Sequence, residues 1–215
     1  AAGRRSPAPR NGGVSSVLDV FPDQNSVTLR GPRVARLSNP TELRRARRLN
    51  IDLMLQDGVK IAALFSPEHG IAGREDNDKI QNGVDPKTGI PVYSLYLAGR
   101  RRVTEDMLKN VDVLVYDIQD VGARFSTYSC TLRSGRGEAA KNPRDYVLLA
   151  RPNPITGTHV EGPVLDKDLE SFVGCFEMPL RHGMTFGELA RMMNAELRLG
   201  LKLTVIPAKG WQRGD

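Results

Sequence analysis

"VDVLVYDIQ", residues 111–119, carries six apolar residues in nine, three of them valines, and places Asp117 and Gln119 near its end. A run this apolar, too short for a helix and rich in β-branched residues, is the signature of a strand covered on both faces. "KIAALFS" (60–66) repeats the pattern. Outward from these two, "RVARLS" (33–38), "IPVYSLY" (90–96), "DYVLLA" (145–150) and "KLTVIP" (202–207) are further strand candidates. Helical stretches lie between them. "NPTELRRARRLNIDLMLQDG" (39–58) offers Thr41 as a cap, an apolar face of Leu43, Leu49, Leu53 and Leu55, and a stop at Gly58. "TEDMLKN" (104–110) is a short helix opened by Thr104. "TFGELARMMNAELRLG" (185–200) has Thr185 and Glu188 at capping-box spacing, with Gly200 as its stop. Strand, helix, strand in repetition predicts an α/β fold: a Rossmann-like, open, mostly parallel sheet with helices on both faces.

Composition narrows the function classes. The 215 residues are 40% hydrophobic and 26% charged, ordinary for a globular chain. No apolar run approaches the roughly 18 residues of a membrane helix, so membrane insertion is not expected. The formal charge of +6 is uneven: Arg4, Arg5 and Arg10 open the chain, and "ELRRARRLN" (42–50) adds four arginines. No aromatic interleaves with them, so a solvated helix face is expected rather than a nucleic-acid surface. Cys130 and Cys175 stand 45 residues apart without CxxC spacing. Two buried thiols are the expectation, with a single disulfide as the alternative in an oxidising compartment. Residues 1–14, rich in Gly, Pro and Arg, read as a flexible leader, 15–207 as the Rossmann-like domain, and 208–215 as the start of a further domain.

Ligands of open parallel sheets bind beyond the carboxyl ends of the strands. That rule gathers Glu68 and His69 after the 60–66 strand. It adds Asp117, Gln119, Asp120, Arg124 and Tyr128 after the 111–119 strand, and Arg151 and Asn153 after the 145–150 strand. Each has a structural reading beside the functional one. Asp120 is also placed to cap a following helix, Arg124 to pair with Asp117 or Asp120, His182 to satisfy backbone groups, and Asn153 to turn the chain between two prolines. Glu68 has no such alternative, because Gly70 and Gly73 argue against a helix that it would cap. Neither GxGxxG after the first strand nor GxxxxGK[ST] nor GxSxG occurs. His69, His159 and His182 lie far apart without HExxH spacing, and no metal or other cofactor is expected.

"LFSPEHGIAG" (64–73), "TGIPVYSLY" (88–96), "VDVLVYDIQDVGARFSTYS" (111–129), "RPNPITGTHVEGPVLD" (151–166) and "SFVGCFEMPLRHGMTFGELARMMNAE" (171–196) together resemble one family, the exo-β-N-acetylmuramidases, formerly a domain of unknown function. The resemblance spans roughly residues 33–211. It implies a Rossmann-like domain followed by a smaller one, with the site in the cleft between them. It also implies a glycosidase that releases terminal N-acetylmuramic acid from peptidoglycan-derived disaccharides or muropeptides. Three departures stand out. Ala150 replaces an acid before the RPNP motif, Glu42 stands where a glycine is usual, and residues 133–144 follow the family poorly.

A glycosidase needs an acid for the leaving oxygen and a second group at the anomeric carbon. On this resemblance Glu68 is the general acid/base, with His69 orienting it or binding a hydroxyl. Asp117, Asp120 and Glu161 are the candidates for the second role, including orientation of the 2-acetamido group in a substrate-assisted route. Gln119, Arg124, Tyr128, Arg151, Asn153, Arg181 and His182 are the expected substrate contacts, with Arg181 and then Arg124 favoured for the lactyl carboxylate. A periplasmic or secreted location is expected, a cytoplasmic one being the alternative. The competing readings are a non-catalytic peptidoglycan-sugar binding domain and a metal-dependent hydrolase of another substrate.

Overall fold

The structure is a computed structural model and describes residues 29–38, 50–66, 82–95, 103–139 and 144–215. Its centre is a seven-stranded sheet in the order β3-β4-β2-β1-β5-β6-β9. The strands are β1 (Arg33–Ser38), β2 (Lys60–Ser66), β3 (Gly83–Val84), β4 (Pro91–Ser94), β5 (Val113–Asp117), β6 (Asp145–Leu149) and β9 (Lys202–Ile206). Every pairing is parallel except β3 with β4. A separate two-stranded antiparallel ribbon pairs β7 (Glu161–Val164) with β8 (Pro179–Arg181). Among the described residues the α-helices are α1 (Asn50–Gln56), α2 (Glu105–Leu108), α3 (Thr127–Ala139) and α4 (Phe186–Glu196), with a 3-10 turn over Lys167–Leu169.

The expectation of an open, mostly parallel α/β sheet is met, and the buried alternation of β5 shows why. Val113 and Val115 belong to one apolar layer with Val34, Val147, Leu149 and the α1 residues Ile51 and Met54. Leu114 and Tyr116 belong to the other, with Leu37, Phe65, Leu148, Met107 of α2, Leu132 of α3, and Phe186, Leu189 and Met193 of α4. Each strand residue thus meets a helix layer whichever way it points, and an unbroken apolar run is the only pattern that satisfies both. α4 begins with the full capping box: Glu188 N–H donates to Thr185 Oγ1, and Thr185 N–H donates to the Glu188 carboxylate. It packs close to β9, where a Cβ on Gly187 would stand 2.5 Å from Val205 Cγ1. Thr104 precedes α2 as expected, but its side chain makes no capping bond. The first half of the helix expected over 39–58 lies outside the described residues.

The order of the strands has a consequence for function. From β1 the chain moves to β2 and β4 on one side, then returns to β5, β6 and β9 on the other. The direction of winding therefore reverses between β1 and β5, and sheets of this kind take ligands in the crevice at the carboxyl ends of such a pair. Ser38 and Asp117 are register partners there, and Ser38 Oγ donates to the Asp117 carbonyl at 3.1 Å. At the opposite end of the same pair, Arg33 donates to Asp112 from its backbone and its side chain, holding that exposed carboxyl down at about 2.

The cysteines correct an expectation. Cys130 of α3 and Cys175, four residues before β8, form a disulfide with their Cα atoms 5.5 Å apart. Spacing alone gave no hint, because the partners meet only when the ribbon folds back onto α3. Arg133 reinforces the link by donating to the Cys175 carbonyl and to Glu170 Oε2. Closing a 45-residue loop restricts the unfolded chain, so reduction is expected to lower stability by about 2–4 kcal/mol. Chemical unfolding with and without reductant checks this, and coincident midpoints would deny the cross-link any weight.

Candidate active site

A buried charge cluster lies towards the carboxyl ends of β1 and β5. Asp117 ends β5 with no solvent exposure, and its two carboxylate oxygens face different arginines. Arg36 Nη2 donates to Oδ2 at 2.5 Å, and Arg151 Nε and Nη2 donate to Oδ1 at 3.1 and 2.8 Å. Arg36 is fully buried and Arg151 nearly so. Two guanidiniums on one carboxylate make the trio a net cation. The pairing of Arg151 with Asp117 explains why an arginine follows a buried strand directly: it closes the charge at the strand tip. Arg36 escaped the sequence reading. The available signal was a lone charge between Ala35 and Leu37, inside a strand whose other central residues are apolar.

A second cluster sits on the loop that leaves β5. Asp120 is buried, and its Oδ2 accepts from Gly122 N–H at 2.9 Å and pairs with His182 Nε2 at 3.1 Å. Since α3 begins only at Thr127, Asp120 turns its own loop rather than capping that helix. His182 Nδ1 accepts from Met184 N–H at 3.2 Å, which leaves the ring proton on Nε2 and makes it the donor to Asp120. The backbone contact expected of His182 is therefore present, and the carboxylate contact is additional. Gly122 has φ +81, and a Cβ there would lie 2.5 Å from both Asn153 Oδ1 and Ile155 Cγ1. The loop carrying Asp120 can approach the Asn153 turn this closely only with glycine.

Asn153 behaves as a turn residue. Its Oδ1 accepts from Ile155 N–H at 3.0 Å, while Nδ2 donates to the Met184 carbonyl at 2.9 Å. Gln119 Nε2 bridges the same two loops through the carbonyls of Asp120 and Pro152. Below them the Tyr116 hydroxyl donates to the Tyr128 carbonyl at 2.8 Å and its ring stacks on Phe186. Burial raises the Tyr116 hydroxyl well above its ordinary range, so it serves as a fixed donor. Ala150, at the position of the usual acid, is buried in the core layer beside α4.

The remaining candidates stand on or near the ribbon. Arg124 Nη1 donates to the carbonyls of Pro163 and Met178, and its backbone N–H to Leu180, so it ties β7 and β8 to the β5 loop. Glu161 and Arg181 are register partners and form an ion pair at 2.5 Å. That hydrogen bond holds the exposed Glu161 carboxyl below its usual range. Arg181 also donates to the Ile155 carbonyl. The described site candidates therefore fall into three groups: Asp117 and Arg151, joined by Arg36; Gln119, Asp120, Asn153 and His182; and Glu161 with Arg181. Glu68 and His69 lie outside the described residues; they follow, in sequence, the buried Ser66 that ends β2. Among the described residues no three His, Cys, Asp or Glu side chains gather as a metal site.

Comparison with known proteins covers nearly all of these positions. Residues 34–215 match the family model described as exo-beta-N-acetylmuramidase NamZ, N-terminal. Peptidoglycan beta-N-acetylmuramidase NamZ of Bacillus subtilis (strain 168) is 41% identical over 203 residues, 94% of this chain and 48% of that protein. Crystal structures of two DUF1343-family proteins of Bacteroides fragilis NCTC 9343 are also similar. One superposes with a TM-score of 0.85 at 40% identity, covering 93% of this chain and 51% of its own. The other gives 0.81 at 35% identity, covering 94% and 54%. The chain thus spans about half the length of the relatives it matches.

Proposed function

This chain belongs to the exo-beta-N-acetylmuramidase NamZ family, whose N-terminal model it matches over residues 34–215, and from that membership we propose that it serves an exo-acting glycoside hydrolase. The reaction is release of a terminal β-linked N-acetylmuramic acid from peptidoglycan-derived disaccharides or muropeptides. The observation that carries this reading is the 41% identity to a named peptidoglycan muramidase across the strand tips that hold the clusters above.

Chemistry divides the roles. Glu68 is the general acid/base that protonates the leaving oxygen, with His69 beside it in sequence as its orienting or hydroxyl-binding partner. Asp117 accepts from two guanidiniums, so its lone pairs are committed and it does not attack carbon; it fixes Arg36 and Arg151 beneath the crevice. Asp120 is left as the carboxylate for the sugar. Gln119, Asn153 and Tyr128 shape the loops around it. Arg181 is the cation for the lactyl carboxylate, which then competes with Glu161 for the same guanidinium; Arg124 is committed to carbonyls.

A disulfide is maintained in oxidising surroundings, which supports a periplasmic or secreted location. No described helix is long and apolar enough to cross a membrane. Incubating the intact protein with a synthetic aryl β-glycoside of N-acetylmuramic acid, with and without chelator, tests the reading. Turnover in both supports it. Binding without turnover points to a sugar-binding domain, and loss with chelator to a metal-dependent hydrolase.

A further inference from the structure

Asp120 carries an oxygen without a partner. Its Oδ2 takes both donors, Gly122 N–H and His182 Nε2–H, while Oδ1 is shielded from solvent and makes no hydrogen bond. Buried carboxylate oxygens are nearly always satisfied, so one left open near a sheet's topological switch, where such folds take ligands, calls for an explanation. His182 cannot easily leave its post. Its side chain is 1% exposed, and Met184 N–H occupies the other ring nitrogen. With Nδ1 accepting from Met184, Nε2–H is the ring's remaining donor, and it is aimed at Asp120.

We infer that His182 is a positioning residue that holds Asp120 with Oδ1 as the acceptor for the acetamido N–H of the bound sugar. A carboxylate oxygen is acceptor-only, and the amide N–H is the one group of a 2-acetamido sugar that only donates. Hydroxyls also need a donor in return, and no second donor stands at Oδ1. The inference rests on the muramidase reading and names which of its residues reads the 2-acetamido group.

The test uses the intact protein, the aryl β-glycoside of N-acetylmuramic acid and its analogue with a hydroxyl in place of the acetamido group. Asp120→Asn and His182→Phe are each expected to lower kcat/KM on the acetamido substrate about 10–100-fold. The double variant stays within about threefold of Asp120→Asn, because both changes act through one contact. His182→Gln, which keeps a side-chain N–H, recovers most of the loss. On the hydroxyl analogue the loss caused by each variant is expected to be at least about fivefold smaller than on the acetamido substrate. Equal losses on both substrates, multiplying losses in the double variant, or a Gln variant as poor as Phe would each overturn the inference. If His182→Phe does not fold, Asp120→Asn compared across the two substrates decides. No turnover by the unmodified protein would sink the muramidase reading itself, and this inference with it.

Discussion

Replacing Glu68 by Gln is expected to lower turnover about 10²-fold or more, the scale of a lost general acid, with the fold intact. The argument starts from position. Glu68 follows Pro67 and the buried end of β2, and no helix signal beside it would use a carboxylate as a cap. β2 adjoins β1 on one side and β4 on the other, so its carboxyl end belongs to the rim where the sheet binds ligands. An acid that protonates the leaving oxygen matters most when the leaving group is poor. The loss should therefore be largest on natural glycosides and smaller on activated aryl glycosides. Rates on both substrates, beside an unchanged melting curve, check the role. Near-normal turnover on the natural glycoside would remove Glu68 from the mechanism.

The largest stability effect is expected at Asp117. Changing it to Leu removes the carboxylate that Arg36 and Arg151 share, the first guanidinium fully buried and the second nearly so. Breaking a buried pair from one side costs about 3–5 kcal/mol, because the remaining charge has no water to return to. Two buried arginines lose this partner at once, which places Asp117→Leu within that range. Replacing all three residues by apolar ones of similar volume should recover much of the loss, since the desolvation penalty goes with the charges. Denaturant midpoints of the single and triple variants give the comparison. A loss below about 1 kcal/mol in the single variant would mean that the arginines do not depend on Asp117.

What was legible in the sequence follows from what each element buries. β1, β2, β5 and β6 announce themselves because strands covered by helices on both sides are mostly apolar, β9 because its edge position still half-buries Leu203, Val205 and Ile206, and α4 because its capping box is a local device. β7, reading "EGPV", carries a glycine and a proline and is exposed throughout, so neither composition nor alternation marks it. It exists because β8 pairs with it and with Ala123 beyond. β3, two residues long, is similarly silent. The site was legible as a set of strand tips but not as partnerships. His182 and Asp120 are 62 residues apart, and Arg36 and Asp117 are 81 apart. Only the closing of the sheet decides that Asp117 is locked by arginines while Asp120 keeps an open oxygen.

The most direct test of the account is the identity of the released sugar. The intact protein is incubated with a disaccharide bearing N-acetylmuramic acid at the non-reducing end, β-linked to N-acetylglucosamine, and with the disaccharide of reversed order. Mass spectrometry follows the products. The account predicts free N-acetylmuramic acid and N-acetylglucosamine from the first, undiminished by chelator, and an intact second disaccharide. Cleavage of the reversed disaccharide, or recovery of both unchanged, would contradict it.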